Sequence, residues 1–213
     1  MTQHTVKQGE HISALAHQYN FFDYHLIWDD SANADLKAAR DNPHVLHPGD
    51  VVTIPDKKEK TVNAADATIH TFQVKQSKLL LRIAIKDYFS DPIANASCVL
   101  EVEGVPKSET TTDAGLIERR IAATDIKGRL VIMGSDLVVQ IGNLDPVDKK
   151  TGQVARFNNL GYAAGPLGDV DTDLLKSAVE EFQCDQNIRD GAGKVTGVCD
   201  ARTQAKLKEI HGS

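Results

Sequence analysis

Aromatic residues make up only 5% of the 213-residue chain, which leaves little for a platform that stacks nucleic-acid bases. Clusters of basic residues are missing too: Lys and Arg are scattered and the formal net charge is -6, so a polyanion is not held by bulk electrostatics. No stretch approaches the roughly 18 apolar residues of a membrane span. Met1-Thr2-Gln3-His4 carries no basic segment followed by an apolar run, so no secretory signal is expected and the chain is read as cytoplasmic as synthesised. Cysteine is sparse and odd in number: Cys98, Cys184 and Cys199. In a reducing compartment all three stay thiols, and a Cys184–Cys199 disulfide is open only to an exported chain.

Motifs of catalysis are also missing. There is no Cys cluster and no His-Glu-x-x-His, and His44 with His47 is the closest suggestive histidine pair, too few ligands for a zinc site. No Gly-x-Ser-x-Gly and no phosphate-binding Gly-rich loop occurs. The expectation is a non-catalytic protein with no catalytic residue, no metal and no cofactor.

What is present is punctuation by Pro, Gly and charge into three small modules. In the first, residues 1–56, Thr5-Val6-Lys7 reads as a strand broken by Gly9. Ile12, Leu15, Ala16 and Tyr19 then keep one helix face. A second helical stretch begins near Tyr24 with Leu26, Ile27 and Trp28 and continues irregularly to Arg40. Pro48-Gly49 then bends the chain into a strand of Val51, Val52 and Ile54 that Pro55 ends. The order is β, α, α, β. The opening His4-Thr5-Val6-Lys7-Gln8-Gly9-Glu10-His11-Ile12-Ser13-Ala14-Leu15-Ala16 and the close Asn42-Pro43 through Ile54-Pro55 resemble a LysM domain. That resemblance implies a two-stranded antiparallel sheet packed on two helices, with a shallow groove for glycans that contain N-acetylglucosamine. By position the groove is Gly9, Glu10, His11 and Ile12 facing Pro43, His44, Val45 and Leu46. Backbone groups freed by Gly and Pro would bond acetamido groups while Ile12 and Leu46 cover the apolar sugar face; the alternative for Ile12, Val45 and Leu46 is that they are core. Glu10-His11 and the lengthened segment from Trp28 to Asp35 depart from the usual pattern. The longer form resembles LysM units beside the spike and baseplate proteins of contractile injection systems, where the fold serves as a protein dock.

Residues 57–68 are charged and then small, and read as a linker. In the second module, residues 69–147, β-like runs fall at Ile69 to Val74, Leu79 to Ile85, Cys98 to Val102, Leu116 to Ile121, Leu130 to Met133 and Leu137 to Ile141. Turn signals separate them at Ser90-Asp91-Pro92, Gly104-Val105-Pro106, Thr112-Asp113-Ala114-Gly115 and Gly134-Ser135-Asp136. Such spacing predicts an antiparallel sandwich. The segments Asp91 to Glu103-Gly104 and Thr112 to Ile117 resemble Ig-like or transthyretin-like modules. Thr112-Asp113-Ala114-Gly115 is expected to be a turn in which Asp113 bonds backbone donors and Gly115 takes positive φ; it lacks the carboxylate cluster of a calcium loop. Cys98 alternates with Leu100 and Val102 and is expected to pack in a core.

The third module, residues 148–213, carries three helical patterns. Val154 to Tyr162 is ended by Gly161; Gly168-Asp169-Val170-Asp171 leads into a helix with Leu175, Val179 and Phe182 on one face; Gly197-Val198-Cys199-Asp200 leads into another with Thr203, Leu207 and Ile210. Phe157-Asn158-Asn159-Leu160-Gly161-Tyr162, Ala178 to Gln183 and Val195 to Asp200 resemble the peptidoglycan-binding domain 1 family, a three-helix unit attached to bacterial wall enzymes. Leu175 stands where that family has Thr, and Gln186 to Lys194 is longer than its usual link. The whole chain is thus expected to be multi-domain α+β. Two functions follow from the resemblances: a wall-binding protein whose partner is peptidoglycan, its glycan and stem peptide held together by avidity, or an adaptor docking on a spike, baseplate or effector protein of a type VI or related system. Delivery by injection reconciles a missing signal with a wall outside the cytosol. No nucleic acid and no membrane is expected as partner.

Overall fold

The structure, a computed structural model, describes residues 1–58, 61, 63, 66–71, 79–168 and 170–213. Its class is α+β, with six α-helices and antiparallel sheets among the described residues. None of those helices is long and apolar enough to cross a membrane. The chain divides into two compact units, Met1–Asn143 and Leu144–Ser213.

The first unit begins with β1 (Thr2–Thr5), α1 (Ile12–Gln18), α2 (His25–Trp28), a 3-10 turn (Ser31–Asn33), α3 (Ala34–Ala39) and β2 (Val51–Ile54). Strands β1 and β2 pair antiparallel, Thr2 opposite Ile54 and Thr5 opposite Val51. The first strand therefore lies three residues earlier than Thr5-Val6-Lys7. Val6 is taken instead by the turn before β2: its N–H donates to the Asp50 carbonyl and its own carbonyl accepts from Gly49 N–H. The predicted face of α1 is buried, with Ile12 and Leu15 fully so. It meets Val6, Ile27, Trp28, Leu46, Val52 and Ile54 in one apolar cluster, against which Tyr19 packs. Each such aliphatic side chain contributes about 1.5–3 kcal/mol when removed from water, so a core of this size leaves the polar contacts a visible share of the stability.

Two of those contacts decide how β2 is held. Asp50 receives the Arg40 guanidinium as a fork, Nε to Oδ2 at 2.9 Å and Nη2 to Oδ1 at 3.0 Å, and also accepts from His47 N–H. Burial pushes the Asp50 carboxyl up, but the fork and that N–H outweigh it and hold it below the usual carboxylate range. Asn33, buried in the 3-10 turn, bonds Thr53 on both sides: its Nδ2 donates to the Thr53 carbonyl at 2.8 Å and its Oδ1 accepts from Thr53 N–H at 2.7 Å. The same Nδ2 donates to the Ile27 carbonyl. Asn33→Ala strands the N–H and carbonyl of Thr53, the Ile27 carbonyl keeping the Asp30 N–H, and is expected to cost about 2 kcal/mol. Urea denaturation followed by fluorescence of Trp28, the single tryptophan, measures this; an unchanged midpoint refutes it.

Six further strands follow among the described residues: β3 (Leu79–Ala84), β4 (Ser97–Val102), β5 (Val105–Thr110), β6 (Leu116–Ile121), β7 (Lys127–Ile132) and β8 (Ser135–Gln140). β3 pairs with β6, and the other four form a sheet in the order β5-β4-β7-β8, all antiparallel. Period-two alternation puts Cys98, Leu100, Val102, Leu130 and Ile132 on one face. They share a cluster with Ile117, and Leu81, Ile83 and Ile85 pack against it, so side chains from both sheets fill one core.

Strand β5 is not visible as an apolar run. It reads Val-Pro-Lys-Ser-Glu-Thr, is mostly exposed and, among the described residues, pairs on one side only, with β4, so tolerance of an edge for Pro106 replaces hydrophobic alternation. The two turns flanking it and β7 are correspondingly shorter than expected. Glu103-Gly104 and Met133-Gly134 make two-residue connections with positive φ at both positions, while Val105, Pro106, Ser135 and Asp136 belong to strands. At Thr112 to Gly115 the turn forms, with Gly115 at φ +69. Asp113, expected to bond backbone donors, accepts from the Asn95 side chain, and the Leu116 N–H donates to the Thr112 hydroxyl. Of the run Ile69 to Val74, residues 69–71 form no strand and 72–74 lie outside the described residues, as do 59, 60, 62, 64 and 65 of the expected linker.

The second unit holds α4 (Lys150–Asn159), α5 (Thr172–Asp185) and α6 (Ala201–His211). Helix α4 starts four residues before Val154, because Lys150 to Gln153 is polar but its Gly152 and Gln153 are buried. Asp171 caps α5 by accepting from Asp173 and Leu174 N–H, and Asp200 caps α6 by accepting from Thr203 N–H. Asp169 lies outside the described residues. Leu175, Val179, Phe182 and Leu207 meet Val154 and Phe157 in the core. Cys98, Cys184 and Cys199 are all free thiols, Cys98 buried against its sheet.

Candidate functional site

The two segments expected to face each other do meet. Ile12 N–H donates to the Pro43 carbonyl at 3.2 Å, tying the loop after β1 to the loop before β2. On the first side, Gly9 at φ +85 turns the chain and Glu10 closes the turn. Its N–H donates to the Lys7 carbonyl, while its carboxylate accepts from Lys7 N–H at 2.8 Å and contacts His4 Nε2 at 2.8 Å. Burial pushes that carboxyl up, but His4 and the Lys7 N–H together hold it below the usual range. Glu10 is thus spent on the fold, its charge directed back at β1.

On the second side, Asn42 accepts twice, its Oδ1 from His44 N–H and its carbonyl from Val45 N–H. Several backbone donors that sequence reasoning left for a ligand, those of Glu10, Ile12, His44 and Val45, are therefore already engaged. Ile12 is fully buried and Leu46 is 5% exposed, both inside the core cluster; neither presents a face to a sugar. Val45 is buried at 8% outside that cluster. Gly9, Pro43 and His44 remain half-exposed.

A row of rings that the sequence did not announce crosses the site. His11 is buried and meets His44 edge to face at 5.7 Å between centroids; His44 meets Tyr24 at 5.1 Å; Tyr24 stacks on exposed His25 at 4.2 Å. Asp29 receives His25 Nδ1 at 3.0 Å. The row runs from interior to surface, and its outer members Tyr24 and His25 sit at the start of α2, a position marked in sequence only by two adjacent aromatic rings. Burial, then the neighbouring His44, push His11 down to about 4, and burial followed by His25 lowers His44. At neutral pH both imidazoles are uncharged, each offering one donor and one acceptor. His11 Nδ1 is buried with no hydrogen-bond partner.

A third segment closes one end. A Cβ placed on Gly142 would lie 2.9 Å from His11 Cδ2 and 3.0 Å from the Gly9 carbonyl oxygen, and one on Gly9 would lie 3.0 Å from Asn143 Oδ1. Gly142 and Asn143, just beyond β8, therefore rest directly on Gly9 and His11. What stays accessible is the end built by Pro43, His44, Tyr24 and His25. Flat rings with polar edges at such a mouth suit the alternating apolar and hydroxylated surface of a sugar. Two open hollows, of about 570 and 730 Å³, lie away from this site, one lined by Leu80, Lys107 and Arg120 and the other by Val99, Ser108 and Met133. Among the described residues no group of three or more His, Cys, Asp or Glu is placed to hold a metal.

In the second unit the longer link after α5 folds on itself, with Asp190 Oδ1 accepting from Ala192 and Lys194 N–H. Gln183, buried at 1%, organises the approach to α6. Its Oε1 accepts from Thr196 and Gly197 N–H, and its Nε2 donates to the Val198 carbonyl and the Thr203 hydroxyl. Compared with known proteins, the chain matches no family model, and neither a curated protein nor a solved structure matches it significantly.

Proposed function

We propose that the chain is a non-catalytic binding protein of the bacterial cell wall, with peptidoglycan as its ligand. In this reading the βααβ part is a LysM domain, the two facing sheets an Ig-like or transthyretin-like spacer, and the three helices a unit of the peptidoglycan-binding domain 1 kind. The setting is that of an accessory or cargo component delivered by a type VI or other contractile injection system. The observation that carries the reading is the tie from Ile12 N–H to the Pro43 carbonyl, which makes the two loops one site with the rings of His44, Tyr24 and His25 at its mouth. Binding through ring faces and neutral imidazoles calls for an uncharged, hydroxylated ligand, which a glycan of N-acetylglucosamine supplies. Two weak modules on one chain gain by holding glycan and stem peptide together.

Sedimentation with purified sacculi tests the proposal. The intact protein is expected in the pellet, and Tyr24→Ala with His44→Ala is expected to weaken binding about tenfold, the loss of roughly 1.4 kcal/mol of contact, in a protein that still unfolds cooperatively by Trp28 fluorescence. Protein that stays wholly in the supernatant sinks it. A second reading, an adaptor that docks an effector on a spike or baseplate protein without touching glycan, draws on the segment over Gly9 and His11, which shows that protein backbone fits there. Retention by a purified spike or effector together with no pelleting on sacculi favours this second reading.

A further inference from the structure

Eleven glycines of the chain take positive φ, and for several of them, Gly49, Gly104 and Gly134 included, an added Cβ would meet nothing within 4 Å. Those serve a turn and nothing else. Gly9 and Gly142 differ. Both take positive φ, at +85 and +76; a Cβ on Gly142 would press on the His11 ring and the Gly9 carbonyl, and one on Gly9 on the Asn143 carboxamide. A close approach of two backbones is what glycine at both places permits. The approach is anchored from one direction: Ile141 is buried in the core of the two facing sheets and its N–H donates to the Ile126 carbonyl at 2.9 Å. Two residues on, Asn143 lays its carboxamide over Gly9.

The manner of the contact matters as much as its place. Among the described residues, no hydrogen bond joins Gly142 or Asn143 to Gly9, Glu10 or His11; the Asn143 amide donates back to the Ile141 carbonyl at 3.2 Å. The seat is made by packing alone, Gly142 lying against the Cδ2–Nε2 edge of the His11 ring. The covered arrangement is therefore held by van der Waals contact with no hydrogen bond of its own to break, as suits a cover that lifts rather than a permanent joint.

We propose that Gly142–Asn143 is a built-in occupant of the groove, a latch from the end of β8 that covers Gly9 and His11 and is displaced when a ligand extends to that end. The latch itself stands on the geometry; its consequence for affinity rests on the glycan reading above. Lifting it uncovers Gly9 and the Cδ2–Nε2 edge of His11 and frees the βααβ part from this contact with the end of the four-stranded sheet.

The test compares the full chain with Gly142→Ala and Gly134→Ala. Both variants carry the same strain of alanine at positive φ, but only the first has a neighbour to collide with. Hydrogen–deuterium exchange at the amides of residues 9–12 is expected to rise at least fivefold in Gly142→Ala and to stay at the parent rate in Gly134→Ala. Equal exchange in all three overturns the latch. Titration with the hexamer of N-acetylglucosamine is expected to show at least fivefold tighter binding by Gly142→Ala, and equal affinity of parent and variant overturns the displacement. Faster exchange with no binding of the hexamer by either protein keeps the latch and removes the glycan reading. Should Gly142→Ala fail to fold, Asn143→Ala removes the carboxamide without backbone strain, and the same two readouts decide.

Discussion

Arg156→Met is expected to unfold the helical unit while leaving the core around Trp28 intact. Arg156 is 1% exposed, and its guanidinium is a hub: Nη1 donates to the Asp145 and Gly152 carbonyls, each at 2.8 Å, and Nε to the Ser213 backbone oxygen at 3.1 Å. Burial pushes the guanidinium down to about 10, partly opposed by Asp145, so it carries its charge at neutral pH. Asp145 is itself buried and accepts from the Thr151 hydroxyl at 2.5 Å. Methionine fills the volume of the stem but abandons three acceptors and a buried carboxylate. Removing one member of such a buried set costs about 3–5 kcal/mol, comparable with all that a small helical unit has. Helical circular dichroism during heating should lose the second unit's contribution at ambient temperature, whereas the Trp28 fluorescence transition should not move. Arg156→Lys, one ammonium in place of a fork, should fall between the two. A melting profile of Arg156→Met that overlays the parent's would show that the hub contributes nothing.

The second large effect is acid loss of stability in the first unit. His11, pushed to about 4 by burial and then by His44, binds its proton less well folded than unfolded, where its ordinary value is about 6.5. The unfolded chain therefore takes up more protons throughout that interval, and stability falls as pH falls from about 6.5 to about 4. Above the interval the histidine is neutral in both states and contributes no slope. At about 1.4 kcal/mol per pH unit the full loss is on the order of 3 kcal/mol. His44, also lowered by burial, acts in the same sense. Glu10 and Asp50, both held below the usual carboxylate range, withdraw their own support as pH falls further. Urea midpoints read from Trp28 at pH 7, 5.5 and 4.5 should decline steadily, and His11→Leu should flatten the decline over this range. An equal slope in parent and variant would assign the acid sensitivity elsewhere. His211, pushed to about 4 by burial and by Arg156, gives the helical unit its own acid response, which Trp28 does not sense.

Which features the sequence disclosed follows from how local their causes are. The face of α1, the alternation in β4 and the caps Asp171 and Asp200 depend on residues a few positions apart, and period or capping chemistry suffices to find them. Strand β5 has no apolar rhythm because an exposed edge needs none, and the polar start of α4 conceals the buried Gly152 and Gln153. The two sides of the site come from the resemblance to a LysM domain carried by the segments around Gly9 and Asn42-Pro43, not from local chemistry. Their side chains were harder to place. Ile12 and Leu46 are apolar residues beside a groove, and only packing decides that they face the core. Tyr24, His25, Gly142 and Asn143 join the site across tens or more than a hundred residues of chain, with nothing in their own neighbourhoods to point there.

Asn33 holds β2, and it also restricts how anything else can. Thr53 is where another extended chain would dock in register along that strand, and both its N–H and its carbonyl are already engaged by the Asn33 carboxamide. A side chain thereby acts as a one-residue strand, ending the sheet in its middle rather than at its rim. Recognition by strand addition is consequently closed at β2, and a partner of this part of the protein must read its loops and rings instead. Asn33→Ala, besides loosening the fold, would reopen that edge to other chains.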